Sequence, residues 1–137
     1  MTDARPLILD SHLDLSFSAL QTNRDLTQPV ATVRAHDSVI TTEGFGSCTV
    51  AFPDLRKGKV GLICGTVMSR LDPNDKWSRT GMYCQAQCHG VGRGHLAYYQ
   101  ALEREGLLTF VKSAGDLDAS VAAWQDPAAD TPFGLIL

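Results

Sequence analysis

Near the amino end, the stretch LILDSHLDLSF places three ionisable residues at alternate positions: Asp10, His12 and Asp14. Side chains two apart on a strand point to the same face, so His12 and Asp14 would project together from just past an opening strand. Neutral imidazole and carboxylate both ligate zinc, at about 2.0–2.2 Å. An H-x-D pair could therefore supply two ligands, with the rest arriving from other strands. The alternative is a turn at Asp10 and Ser11, with His12 and Asp14 as ordinary polar residues. The carboxyl ends of strands in α/β folds are where such sites are built, because the loops converge there.

Other stretches offer less. CQAQCH (84–89) puts Cys84 and Cys88 one helical turn apart, but a closed zinc site needs four ligands and no second Cys/His pair has suitable spacing. These read as idle or buried helix-face thiols. GVGRGH (90–95) resembles a phosphate loop, yet the dinucleotide fingerprint requires glycines directly after a strand. Here they fall inside a helical stretch, where close packing of that helix on a sheet is the expected reason. Gly44–Gly46, Gly-Phe-Gly, lacks the lysine and hydroxyl residue of a P-loop and reads as a connector. There is no G-x-S-x-G, and no cysteine sits in the setting of a nucleophile.

The elements that must position His12 and Asp14 follow from periodicity. PLILDSH (6–12) is a short continuous apolar run, read as a buried strand. The following 13–36 is polar and mixed, with Pro29 as a breaker, and holds at most a helical turn or two. VGLICGTVM (60–68) is the strongest strand, apolar on both faces and entered through a turn at RKGK (56–59). A loop rich in turn residues spans 71–81. A helix is predicted over 83–105, with Leu96, Tyr99 and Leu102 on its apolar face and Gly106 as its stop. LLTFV (107–111) reads as a strand. Residues 113–125 form an amphipathic helix capped by Ser113, with Leu117, Val121 and Trp124 on one stripe, and FGLIL (133–137) is a further strand. Strands alternating with helices predict βαβ units and a parallel sheet.

The bulk composition narrows the functional classes. The 137 residues are 44% hydrophobic and 20% charged, which suits one globular domain. A formal net charge of −3 leaves no electrostatic footprint for nucleic acid. No apolar run approaches the ~20 residues needed to span a bilayer. With no signal peptide visible, a cytoplasmic location and four free thiols (Cys48, Cys64, Cys84, Cys88) are expected.

Taken together and in order, LDSHLDLSFSAL, NRDLT, DLRKGKVGLICGTVMSR, GRGHLAYYQALEREG and FGLIL resemble the N-terminal part of the membrane dipeptidase family, the renal-dipeptidase-like zinc peptidases. The likeness runs from about Leu7 to Leu137. It implies a metallo-dependent-hydrolase-type (β/α)8 TIM barrel with two zinc ions at its carboxyl mouth. His12 and Asp14 would be the ligands from the first strand, and Asp10 could orient a neighbour. The family's bridging glutamate, later zinc-binding histidines and catalytic aspartate would lie beyond Leu137, so no catalytic residue is assigned within 1–137. Such a barrel takes about 250 residues. The expectation is thus one partial domain, the N-terminal half with about four strands, whose last strand presents an open apolar edge.

The resemblance implies hydrolysis of a dipeptide's amide bond by a metal-activated hydroxide, with the fragment alone inactive and a homodimer allowed for the full-length protein. Two alternatives stand beside it: another metal-dependent amidohydrolase on the same barrel, or a non-catalytic remnant that acts as an interaction module.

Overall fold

In the computed structural model, residues 6–37, 47–71 and 81–137 are described. The chain builds a mixed α/β fold around a parallel four-stranded sheet. Its elements in chain order are β1 (Ile8–Leu13), α1 (Leu15–Gln21), α2 (Val30–Asp37), α3 (Phe52–Lys57) and β2 (Val60–Gly65). There follow β3 (Arg70–Leu71), β4 (Gly81–Met82), α4 (Gln85–Arg104), β5 (Leu108–Phe110), α5 (Ala114–Ala123) and β6 (Phe133–Ile136). The four long-sheet strands run in the order β1-β2-β6-β5, all parallel, and β3 pairs with β4 separately.

Two expectations about the sheet need correcting. β1 is not a buried strand: it lies at the sheet's edge, with Ile8 and Leu9 44% and 45% exposed. An apolar run shows that a strand can be covered on both faces, not that a neighbour arrives to do so. Nor does the last strand form an open edge. β6 sits between β2 and β5, and its Phe133, Gly134 and Leu135 are buried. The free edges belong to β1 and β5. In a plain (β/α)8 succession each strand lies beside the next in sequence, whereas β5 here lies beyond β6.

β2 is covered as its two-faced apolar pattern predicts, with Gly61, Leu62 and Ile63 buried beneath α3 and α5. One core gathers Leu15, Ile63, Tyr99, Leu102, Trp124, Phe133 and Leu135, the strand residues Ile63, Phe133 and Leu135 sharing one face of the sheet. At its centre the Trp124 indole lies 5.2 Å from the Phe133 ring and donates from Nε1 to the Pro132 carbonyl at 2.8 Å.

The helix termini follow their local chemistry. α4 ends in a Schellman motif: Leu107 N–H reaches Leu102 O, Gly106 N–H reaches Glu103 O, and Gly106 takes φ +77° without a Cβ penalty. Ser113 Oγ accepts from Asp116 N at 3.2 Å and caps α5. The amide of Val30, at the start of α2, donates to Asp54 Oδ2 of α3 at 2.7 Å, which holds the Asp54 carboxyl below its usual range. α2 is tied back by Asp37, which pairs with Arg24 at 3.0 Å and accepts from Cys48 N.

Two readings of α4 shift. Its buried stripe is His95, Tyr99 and Leu102, while Leu96 is half-buried. Its glycines are not there for close packing throughout: a Cβ at Gly90 or Gly94 would meet nothing within 4 Å, and only Gly92 approaches a neighbour, Val67 at 3.5 Å. Gly44–Gly46 and most of the 71–81 loop lie outside the described residues.

Candidate functional site

The carboxyl ends of β1 and β2 lie side by side, since Leu13 pairs with Gly65. The residues just beyond them, Asp14 and Thr66, therefore meet. Asp14 occupies the junction where β1 turns into α1, and its Oδ1 accepts from Thr66 Oγ1 at 2.5 Å. His12 Nε2 stands 3.4 Å from the same oxygen. The imidazole is 71% exposed and the carboxylate 41%, so the pair opens to solvent on one side. Asp10 bends back to accept the His12 backbone amide at 3.0 Å. Its carboxylate therefore holds the main chain that carries His12 and does not join the pair.

Beneath this pair lies a closed polar cluster that the sequence did not reveal. Ser16, the second residue of α1, is buried, and its Oγ lies 3.0 Å from both the Thr66 carbonyl and His95 Nδ1. Tyr99 OH donates to the Thr66 carbonyl at 3.1 Å and accepts from Ser16 N at 3.2 Å. Thr66 is thus the hub: its hydroxyl holds Asp14 while its carbonyl collects Ser16 and Tyr99. The signal that could have located His95 is its i, i+4 spacing from Tyr99 on the inward face of α4.

His95 is 1% exposed, and its Nε2 has no hydrogen-bond partner among the described residues. Burial holds the imidazole below its ordinary value, opposed by the nearby negative charge of Asp14. Because the unfolded state then binds the extra proton, His95 leaves stability intact above about pH 6.5 and lowers it as pH falls through the depressed folded value. Urea midpoints at pH 7.5 and 5.5 should reveal this as a drop that shrinks in His95→Gln. An equal drop in both proteins would show that the other histidines account for it.

The zinc expectation is corrected here. Among the described residues, no three His, Cys, Asp or Glu side chains gather closely enough to hold a metal ion. His12 and Asp14 remain a pair: the side chain bonded to them is the Thr66 hydroxyl, which is outside zinc's usual ligand set, while Ser16 and Tyr99 bond to the Thr66 carbonyl instead. Cys84 and Cys88 join no cluster either, and all four cysteines are free thiols. No helix among the described residues is long and apolar enough to cross a membrane.

Compared with known proteins, the chain matches no family model, no curated protein and no solved structure.

Proposed function

We propose that this chain carries part of the active site of a dipeptidase-type hydrolase, cleaving the amide bond of a dipeptide at the carboxyl mouth of a (β/α)8 barrel. One observation carries the reading: His12 and Asp14 converge, open to solvent, at the carboxyl rim of a parallel sheet. The barrel reading must take β5 as a strand outside the β1-β2-β6 series, since it precedes β6 in the chain and lies beyond it in the sheet.

The chemistry assigned to the pair is modest. With the Nε2 proton of His12 turned toward Asp14 Oδ1, Nδ1 becomes the lone-pair nitrogen able to take a proton from an attacking water. Asp14 then steadies the resulting imidazolium. Thr66 and His12 both address Oδ1, which leaves Oδ2 for the free ammonium of a dipeptide. The separation of 3.4 Å is long for a hydrogen bond and would tighten around substrate. No oxyanion donor is assigned among the described residues, so the chain alone should bind dipeptide without turning it over.

The test is direct. Titrating Ala-Ala should shift the imidazole resonances of His12, N-acetyl-Ala-Ala should not, and Asp14→Asn should weaken the effect about tenfold. No shift with Ala-Ala would remove the substrate assignment. Free alanine released by the chain alone would show instead that its residues suffice. The second reading, a non-catalytic module, expects all three titrations to be flat.

A further inference from the structure

At the opposite, amino end of the sheet lies a cavity of about 620 Å³. It is bounded by α3, the turn into β5 and the start of β6, and its walls include Phe52, Leu107 and Phe133. Its volume falls within the range of roughly 300–1,000 Å³ usual for small-molecule sites, and such sites combine apolar walls with few polar groups. Three charged residues at its border, Lys57, Glu105 and Asp130, are exposed.

Arg56 differs from those three. It is half-buried, and its guanidinium lies 4.7 Å from the Phe133 ring centroid and 5.2 Å from that of Trp124. Its Nη1 is shut off from solvent and has no hydrogen-bond partner among the described residues. Buried donors are nearly always paired, and an unpaired one on a charged group is costly. A guanidinium presents its N–H groups as a fork that matches a carboxylate. The border works the opposite way: Asp130 already acts on the Arg56 charge, and with Glu105 it would oppose a phosphate monoester more strongly than a monocarboxylate.

We propose that this cavity binds a small amphipathic monocarboxylate, its apolar body against Phe52, Leu107 and Phe133 and its carboxylate on the unpaired side of Arg56. Because Nη1 is shut off from solvent as it stands, binding requires the guanidinium to turn from the Phe133 and Trp124 rings toward the cavity. The site is separate from the His12–Asp14 rim, and the proposal stands whether or not that rim hydrolyses dipeptides.

The probes are 3-phenylpropionate and its uncharged isostere 3-phenylpropionamide, read by Trp124 fluorescence in a Trp77→Phe background. The acid should saturate at concentrations on the order of millimolar, as a ligand of this size allows. The amide should bind at least about tenfold more weakly, the worth of a charged hydrogen bond. Arg56→Met should abolish that preference, and Lys57→Gln should keep it. Should Arg56→Met not fold, Arg56→Lys, which keeps the charge without the fork, should reduce the preference instead. Equal affinity for acid and amide, or no saturable binding of the acid, overturns the proposal whatever the variants do.

Discussion

Trp124→Ala is expected to destabilise the fold by about 3–5 kcal/mol, the range for emptying a large aromatic site in a core. Three losses coincide there. The indole is 1% exposed and packs against Phe133 at 5.2 Å, so its removal leaves a cavity that rigid strands cannot close. The Pro132 carbonyl loses the Nε1–H donor that it accepts at 2.8 Å. Arg56 also loses one of its two aromatic partners. For a domain whose total stability is about 5–15 kcal/mol, such a loss is about a fifth or more. Urea denaturation should show a much lower midpoint with little change in slope. A cost below about 1 kcal/mol would mean that the indole is not the centre of the packing.

The second large effect comes from adding a single methyl group. In Gly61→Ala the new Cβ would lie 2.2 Å from Trp124 Cδ2, 2.6 Å from its Cγ and 2.7 Å from Leu7 Cδ1. The Leu7 methyl, at the end of a flexible side chain, can move aside, but the two ring atoms cannot do so easily. The indole is held by its bond to Pro132 and by Phe133, and Gly61 itself lies in β2, paired with neighbours on both sides. The expected cost is about 3 kcal/mol, at the upper end for overpacking. The two substitutions should not add. With Trp124→Ala in place, the clash with the ring is gone, and Gly61→Ala should then cost about 1 kcal/mol or less. Strict additivity in this double-mutant cycle would show that the glycine is required for another reason.

What could be read in advance was local. The C-terminal stop at Gly106, the Ser113 cap and the two-faced burial of β2 each depend on a few neighbouring residues, and each is where local chemistry puts it. His12 and Asp14 do meet, but not by simple alternation: Asp14 lies past the strand at the start of α1, and β1 is irregular between Asp10 and Leu13. Readings that depended on distant partners fared worse. Nothing in PLILDSH says whether a neighbour will lie on both sides, and β1 came out exposed. Nothing local makes β5 cross to the far side of β6. The Ser16–His95–Tyr99–Thr66 cluster joins α1, α4 and the end of β2, so no sequence window contains it. The helical turn or two allowed over 13–36 became α1 and α2, and α3 was missed; both α2 and α3 draw capping from outside themselves, Val30 N from Asp54 and Phe52 N from the Leu26 carbonyl.

The interior position of β6 governs when the sheet can assemble. β2 and β5 leave the ribosome first, yet they have no hydrogen bonds to each other and must await Phe133–Ile136. Until that keystone inserts, both present unpaired amides and carbonyls, the kind of surface on which nascent chains stick to one another. Pairings as distant as Leu62 with Gly134 are of the non-local kind whose loop-closure cost slows folding.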